Sequence, residues 1–337
     1  MRLAVLGVGA VGTSVVELAG EYGHEVVAVA DSTGAAVAGD GDGDGDGDGD
    51  GGASVDDDGA DRGLDVAAVL ERKEETGVVG ESDPDAALEA DYDVLVEATP
   101  TTLGDAEPGF SHVRRALERD RHVVLANKGP VAERYEEVRS LEAGSQGTVL
   151  FEATVGGAIP VLSTIADLNG QVTAARGVLN GTANFILSRM AAEGLGYEHV
   201  LAEAQDLGVA EADPTFDVEG TDAALKCVIL ANVLYDDAYR LADAEVEGIA
   251  DLPGSALELA TEDGRTIRLI GEVAEGTVRV GPRLVPENGT LAVTGTLNIV
   301  QLETTHAGRL NISGRGAGGP ETASAVLADV GRLPPLE

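Results

Sequence analysis

The first thirty residues combine a buried strand, a glycine-rich turn and a helix, and this pattern restricts the fold more than any other feature of the chain. Residues 3–6 are a continuous apolar run, as expected of a strand covered on both faces. The turn after them contains three glycines, Gly7, Gly9 and Gly12. A helical pattern follows through Leu18, and a second apolar strand over residues 26–30 ends at Asp31. This βαβ unit predicts an α/β fold with a Rossmann-type doubly wound parallel sheet.

The same turn predicts a dinucleotide site. Glycines permit a tight turn and close approach of the backbone to a pyrophosphate, while the following helix N-terminus supplies N–H donors. Asp31 lies 19 residues after Gly12, where an acidic residue binds the adenosine ribose. Asp31 favours NAD, because its charge would repel the 2′-phosphate of NADP, but Ser32 and Thr33 soften that preference. The alternative for the glycines is a sharp turn without a ligand, and the alternative for Asp31 is a solvated strand end.

Strands and helices alternate to about residue 150, and the pattern changes after Pro160. Longer helical stretches follow, and the strand-like pieces are residues 267–273, 277–280 and 291–293. We therefore expect a dinucleotide-binding domain over residues 1–150 and a second α+β domain with a more antiparallel sheet.

Residues 39–52 are an almost pure Gly-Asp repeat. Glycine maximises backbone entropy and neighbouring aspartates repel each other, so we predict a disordered loop. One register would place Asp46, Asp48, Asp50 and Asp57 as calcium ligands. That register lacks the usual terminal Glu and flanking amphipathic helices, which favours the solvated loop.

The chain is strongly acidic. Its formal net charge is −38, from 22 Lys+Arg against 60 Asp+Glu. Such a charge excludes binding to the nucleic-acid backbone as a main activity and disfavours anionic membranes. No apolar run approaches the roughly 20 residues that span a bilayer, and no signal peptide is evident. Only three lysines occur, Lys73, Lys128 and Lys226, which is typical of salt-adapted proteins.

Two of these lysines occupy positions suited to chemistry. Lys128 follows an apolar strand, and the carboxyl ends of such strands line ligand sites, although a solvated loop lysine explains it too. Asp222 and Lys226 are four residues apart on an apolar helix, so we expect a partly buried pair. A desolvated lysine beside a carboxylate can act as an acid or base, whereas the alternative is an ordinary exposed ion pair. Cys227, the single cysteine, is predicted to be a core residue and fits a reducing cytoplasm.

The segment around Lys226 resembles the signature of homoserine dehydrogenase. Its pattern is Gly208…Asp213-Pro214…Asp217…Gly220…Asp222…Lys226. The resemblance extends over nearly the whole chain, to Gly316–Gly319 and Thr322. The departures are the Gly-Asp insert, the scarcity of lysine and the expected lack of a regulatory domain after residue 337.

The resemblance implies reversible hydride transfer between L-homoserine and L-aspartate 4-semialdehyde with NAD(P), in threonine and methionine biosynthesis. It implies that Lys226 is the acid/base residue at the substrate oxygen, and that Lys128 is a second lysine close to cofactor and substrate. Which lysine takes the proton stays open. The residues implied to bind the substrate are Glu211, Asp217, Asp222, Thr182 and Lys128. This agrees with a zwitterionic substrate, whose ammonium needs carboxylates and whose carboxylate needs N–H donors.

The resemblance also assigns a cofactor site and a cation site. The implied cofactor residues are Gly7, Gly9, Ala10, Val11, Gly12, Asp31, Thr99, Lys128 and Gly318. The backbone oxygens of Glu152, Val155, Gly157 and Ile159 match a loop that holds a monovalent cation, Na⁺ or K⁺. A glycine-rich hinge without metal explains the same four residues.

The expected organisation follows from the same resemblance. Residues 151–305 become the substrate-binding and dimerisation domain of a cytoplasmic homodimer, and residues 306–337 return to the dinucleotide domain. The competing hypotheses are another two-domain NAD(P)-dependent oxidoreductase of small amino or hydroxy acids, and a non-catalytic dinucleotide-binding regulator. The first leaves the clustered carboxylates unexplained, and the second predicts loss of Lys128 or Lys226, which are both present.

Overall fold

The computed structural model describes residues 1–39, 63–236 and 238–336. Apart from Gly39, the predicted Gly-Asp loop and its calcium register lie outside the described residues. The chain forms two compact units. The first unit comprises residues 1–130, 137–151 and 322–337, and the second comprises residues 131–136 and 152–321.

The first unit contains a six-stranded sheet in the order β3-β2-β1-β4-β5-β6. Its strands are β1 (Arg2–Leu6), β2 (Glu25–Asp31), β3 (Gly34–Val37), β4 (Val94–Glu97), β5 (His122–Leu125) and β6 (Val149–Leu150). Neighbouring strands are parallel except β3, which pairs antiparallel with β2. The predicted Rossmann-type sheet is confirmed, with β3 as an additional edge strand. The strand order reverses between β1 and β4, which is where such sheets bind ligands.

Helices connect these strands as the sequence pattern indicates. They are α1 (Ala10–Leu18), α2 (Val66–Thr76), α3 (Ala86–Glu89), α4 (Gly109–Glu118), α5 (Gly129–Glu133) and α6 (Tyr135–Ala143). The Asp65 carboxylate accepts a hydrogen bond from the Ala68 N–H at 3.1 Å and caps α2, which ends at Gly77 in a left-handed conformation. The parallel strands are buried on both faces, since Leu3, Val5 and Leu95 are completely inaccessible.

A buried histidine joins β5 to the C-terminal segment within this unit. His122 is inaccessible to solvent, and its Nδ1 accepts the Thr148 N–H at 2.9 Å. Its Nε2 donates to the Pro334 carbonyl oxygen at 2.9 Å. Burial lowers the pKa of His122 below its ordinary value, so the neutral imidazole is the form that fits these contacts.

The second unit contains another six-stranded sheet, in the order β12-β11-β7-β9-β10-β8. Its strands are β7 (Val172–Val178), β8 (Glu245–Val246), β9 (Arg265–Ala274), β10 (Thr277–Pro286), β11 (Leu297–Thr304) and β12 (Arg309–Arg315). Every neighbouring pair is antiparallel except β8 and β10. The predicted change to a more antiparallel sheet is therefore confirmed.

The helices of the second unit carry three of the signature residues, Asp217, Asp222 and Lys226. They are α7 (Ala153–Gly156), α8 (Val161–Asp167), α9 (Gly181–Glu193), α10 (Tyr197–Asp206), α11 (Thr215–Val218), α12 (Thr221–Tyr235) and α13 (Gly254–Glu262). Every residue of α12 from Asp222 to Asn232 is buried, and the predicted burial of Cys227 is confirmed. A last helix, α14 (Gly319–Val330), leads into the C-terminal part of the first unit. Across the described residues, no helix combines the length and apolar character needed to cross a membrane.

Two expectations differ from the structure. Residues 291–293 are not a strand, because the Ala292 N–H turns back to the Gly289 carbonyl and Leu291 packs into the core from a loop. Residues 306–321 do not belong to the first unit, because β12 pairs along its length with β11 of the second sheet. The return to the first unit begins at Thr322.

Candidate active site

The glycine turn follows β1 and is shaped by two close backbone contacts. Gly7 has φ +92°, and a Cβ there would lie 2.5 Å from the Ala98 oxygen and 2.6 Å from the Thr99 nitrogen. A Cβ at Gly12 would lie 1.7 Å from the Gly7 oxygen. At Gly9, by contrast, no atom lies within 4 Å of the Cβ position. Two glycines therefore serve packing, and the third leaves open space in front of α1.

The open space lies at the N-terminus of α1, whose first N–H groups have no side-chain cap. Gly9 is the N-cap of α1 with extended backbone and no side-chain cap. Ala10 and Val11 form the first turn, whose N–H groups have no acceptor within the helix. Oriented N–H groups without a nearby side chain suit a pyrophosphate, so these residues fit the predicted dinucleotide.

Asp31 ends β2, and its carboxylate is already engaged. Its Oδ1 accepts from the Thr33 N–H at 2.7 Å and the Thr33 hydroxyl at 2.5 Å, while its Oδ2 is ion-paired with Lys73. Burial would raise the pKa of Asp31, but the bonds from Lys73 and Thr33 outweigh it and hold the pKa below its ordinary value. The third lysine of the chain therefore lies at the adenosine end of the predicted cofactor site.

Thr99 and Lys128 lie at the carboxyl ends of two adjacent parallel strands, β4 and β5. Lys128 is half-buried, and its backbone N–H donates to the Thr101 hydroxyl at 3.3 Å. The structure thus places the glycine turn, Thr99 and Lys128 at one edge of the first sheet, as ligand residues of such sheets are placed. Gly318, also predicted for the cofactor, belongs to the second unit, where it precedes α14 with φ +125°.

The second unit holds a buried lysine among hydrogen-bond acceptors. Lys226 of α12 is 6% exposed, and its Nζ donates to Asp222 Oδ2 at 2.6 Å and to the Leu179 carbonyl oxygen at 2.7 Å. Asp222 is 7% exposed and lies in the first turn of the same helix. The predicted burial of this pair is confirmed, and such a desolvated pair is held in one geometry by its surroundings.

Asn180 connects this pair to a second carboxylate. As the N-cap of α9, it accepts the Ala183 N–H with its side-chain oxygen at 2.8 Å. Its Nδ2 donates to Asp217 Oδ1 at 2.7 Å and to Asp222 Oδ2 at 2.9 Å. Sequence reasoning gave Asn180 no role, although an Asn directly before a helix is a recognisable capping signal. Asn180 and the Leu179 carbonyl thus join Lys226, Asp222 and Asp217 into one hydrogen-bonded network.

Thr182 and Glu211, the other predicted substrate residues of the second unit, make contacts outside this network. The Thr182 hydroxyl donates to the Val209 carbonyl oxygen at 3.1 Å and ties α9 to the loop after α10. Glu211 lies in that loop with an exposed side chain, and its carbonyl oxygen accepts from Gln205 Nε2 at 3.1 Å. The structure therefore joins Asp222 to Lys226 directly and to Asp217 through Asn180, but no contact brings the Glu211 carboxylate to them.

The predicted cation residues lie in and around the short helix α7: Glu152 is its N-cap, Val155 is inside it, and Gly157 and Ile159 form the turn that leads to α8. The carboxylate of Glu152 accepts the N–H groups of Leu162 at 2.8 Å and Ser163 at 2.7 Å, so its side chain satisfies the start of α8. Gly157 has φ +55° and approaches the Gly316 oxygen too closely for a Cβ. The Ile159 carbonyl accepts the Val161 N–H at 2.8 Å, which leaves a second lone pair. Carbonyl oxygens in such a turn suit a hard monovalent ion. Over the described part of the chain, no cluster of three or more His, Cys, Asp or Glu side chains forms a metal site.

Comparisons with known proteins agree on one family. The family model described as homoserine dehydrogenase matches residues 160–330. The homoserine dehydrogenase of Methanocaldococcus jannaschii is 38% identical, covering 98% of this chain and 97% of its own length. The NAD(+)-dependent homoserine dehydrogenase of Pseudomonas canavaninivorans is 40% identical over 71% of this chain and 70% of its own.

Solved structures give the same result. A crystal structure assigned to homoserine dehydrogenase from Archaeoglobus fulgidus superposes with a TM-score of 0.85 at 38% identity, covering 98% of each chain. A hyperthermophilic archaeal homoserine dehydrogenase in complex with NADPH gives a TM-score of 0.79 at 26% identity, covering 100% of this chain and 99% of that one.

Proposed function

The chain belongs to the homoserine dehydrogenase family of oxidoreductases, and from that premise we propose that it interconverts L-homoserine and L-aspartate 4-semialdehyde with NAD(P). The observation that carries the proposal is the network in which the buried residues Lys226, Asp222 and Asn180 are joined to the half-buried Asp217. Homoserine carries an ammonium, a carboxylate and a hydroxyl. Two clustered carboxylates suit its ammonium, and a buried lysine suits its oxygen.

The reaction transfers a hydride and a proton, and the lysines of this chain act on the proton. When bound, the nicotinamide supplies or accepts the hydride at the carbon that bears the substrate oxygen. In the reductive direction, the oxygen of the semialdehyde gains a proton as its carbon gains the hydride, and we assign the Lys226 ammonium as the donor. Lys128, at the end of β5, is the second lysine for the reacting group. Asp217, Asp222, Glu211 and Thr182 are assigned to the rest of the substrate.

We assign both NAD and NADP as coenzymes. The ionised Asp31 alone would repel a 2′-phosphate, but the ammonium of Lys73 offsets that charge at the same position. Lys73→Met is expected to raise the KM for NADP⁺ at least tenfold and to change the KM for NAD⁺ less than threefold. Equal effects on the two coenzymes would contradict this assignment.

We further propose a cytoplasmic, salt-adapted homodimer that binds a monovalent cation through the backbone oxygens of residues 152–159. The carbonyl-rich turn supports the cation, and exposed apolar side chains on strands of the second unit, such as Leu284 and Leu297, support dimerisation through that unit. Replacing KCl by choline chloride at equal ionic strength is expected to lower activity, and light scattering in molar KCl is expected to give twice the chain mass. Unchanged activity in choline would contradict the cation site, and a monomer mass would contradict the dimer.

A matched pair of substrates tests the proposed role of the carboxylates. L-Homoserine and 4-hydroxybutanoate differ only in the ammonium group. Oxidation of L-homoserine is expected to exceed that of 4-hydroxybutanoate by at least 10³-fold in kcat/KM, since a buried carboxylate cluster left without its cation is costly. Asp217→Asn is expected to reduce this preference at least tenfold. Comparable rates with both substrates would point to another hydroxy-acid oxidoreductase.

A further inference from the structure

A completely buried carboxylate lies beneath the predicted coenzyme residues of the first unit. Glu97 is the last residue of β4 and is inaccessible to solvent. Its Oε1 accepts the backbone N–H of Thr99 at 3.0 Å, the Thr99 hydroxyl and Asn127 Nδ2 at 3.3 Å. Its Oε2 accepts from His112 Nδ1 of α4 at 2.6 Å. A buried carboxylate is tolerated only with such partners, and here they come from two different loops and from α4.

Asn127 extends these contacts to both sides of Lys128. It is 1% exposed and directly precedes Lys128 in the chain. Its Oδ1 accepts the N–H of Gly129, directly after Lys128, at 2.9 Å, while its Nδ2 also contacts the Thr99 hydroxyl at 3.1 Å. The backbone of Lys128 is therefore fixed on both sides by a side chain that is itself bound to Glu97.

Thr99, the other loop residue that Glu97 binds, lies against the glycine turn. The Thr99 nitrogen lies 2.6 Å from the position that a Cβ on Gly7 would occupy. The carboxylate of Glu97 thus fixes the loop after β4, which contacts the pyrophosphate-binding turn, and through Asn127 the loop after β5, which bears Lys128. A displacement of about 1 Å in a reacting group can reduce turnover about 100-fold.

We propose that Glu97 is a positioning residue, which aligns Thr99 and Lys128 for the coenzyme and the reacting carbon. This inference rests on the proposed function for its kinetic effects, but coenzyme affinity reports on it independently. His112 completes the arrangement, because its Nδ1–H satisfies the one carboxylate oxygen that faces neither loop.

Two substitutions at Glu97 separate positioning from simple burial. Glu97→Ala removes all acceptors and is expected to weaken NAD(P)H binding at least tenfold and to lower kcat at least tenfold, with the KM for L-homoserine within threefold of wild type. Glu97→Gln is expected to recover most of both losses, because its Oε1 still accepts from Thr99 and Asn127, and its Nε2 can donate to His112 Nδ1 once the ring adopts the other tautomer. Asp329→Ala is the matched control, since Asp329 is another buried carboxylate of the same unit, 3% exposed and paired with Arg332 at 2.8 Å. It is expected to lower Tm without changing NAD(P)H affinity.

Binding is measured by the fluorescence of NAD(P)H, and unfolding by circular dichroism, both in molar KCl. Wild-type affinity in Glu97→Ala, a loss in Glu97→Gln equal to that in Glu97→Ala, or an equal loss in Asp329→Ala would each overturn the proposal. If Glu97→Ala does not fold, His112→Ala takes its place and is expected to weaken NAD(P)H binding at least threefold. Unchanged affinity in His112→Ala would then overturn it. A wild-type protein that binds NAD(P)H but does not oxidise L-homoserine would reject the proposed function and leave this test intact.

Discussion

Removing the charge of Lys226 is expected to cost the second unit both stability and turnover. The side chains of Lys226 and Asp222 are 7% and 9% exposed, and their contact is 2.6 Å long. Lys226→Met keeps most of the aliphatic volume but leaves the Asp222 carboxylate buried beside Asn180 without a cation. Breaking a buried pair on one side costs about 3–5 kcal/mol. At about 2–4 °C per kcal/mol for a domain of this size, Tm is expected to fall by about 6–20 °C.

Turnover is expected to fall by about 10²–10⁴-fold in the same variant, the usual contribution of a positioned acid or base. Coenzyme affinity is expected to stay within threefold of wild type, because the glycine turn and Asp31 belong to the first unit. The assay combines thermal unfolding, steady-state kinetics with L-homoserine and NAD(P)H fluorescence, all in molar KCl.

The double variant Lys226→Met with Asp222→Asn separates the two effects. It removes both charges, and the amide oxygen at position 222 can still accept from Asn180. Most of the lost stability is expected to return, since replacing both partners of a buried pair avoids the uncompensated charge. Turnover is expected to remain lost. A double variant no more stable than Lys226→Met, or a single variant with turnover within tenfold of wild type, would refute the reasoning.

Three further predictions concern the glycine turn, pH and salt. Gly12→Ala is expected to lower Tm and abolish coenzyme binding, because its Cβ would lie 1.7 Å from the Gly7 oxygen; Gly9→Ala is expected to keep Tm and weaken binding. Burial lowers the pKa of His122, so below about pH 6.5 the unfolded state binds more protons than the folded state. The free energy of unfolding should therefore decrease as the pH is lowered from about 6.5. His122→Asn should reduce that slope. The net charge of −38 makes the chain repel itself, and salt screens this repulsion, because the Debye length falls from about 10 Å at 0.1 M to about 3 Å at 1 M. Activity and ellipticity should therefore be lost at 0.1 M KCl and retained at 1 M. The same should hold after deletion of residues 40–51. Full activity at 0.1 M KCl would refute the salt adaptation but not the dehydrogenase assignment, which rests on other residues.

The parallel sheet could be predicted from the sequence because its strands are buried on both faces and read as continuous apolar runs. β3 was missed because it is a four-residue edge strand joined to β2 by the two-residue loop Ser32-Thr33. β12 was missed because its alternate residues are exposed along the strand, so no apolar run marks it. Residues 291–293 are apolar because they pack as a loop on the core, and composition alone does not distinguish that from a strand.

The site was predictable where its residues are close in sequence and hidden where tertiary contacts create it. Asp222 and Lys226 share one helix face, so their pairing follows from their spacing. The Leu179 carbonyl and Asn180 reach them from a different element, and no spacing rule connects the two segments. Glu97 reads as the polar end of a strand, and its role depends on the loop after β5.

The most direct test of the proposed activity follows the hydride itself. Purified protein in molar KCl is supplied with L-aspartate 4-semialdehyde and NAD(P)H in which both hydrogens at the nicotinamide C4 are deuterium, and the product is analysed by mass spectrometry. We expect L-homoserine with one deuterium at C4, formed in equal amount to the coenzyme oxidised, and at least a 100-fold lower rate in Lys226→Met. Coenzyme oxidation without deuterated L-homoserine, or an equal rate in the variant, would contradict the account.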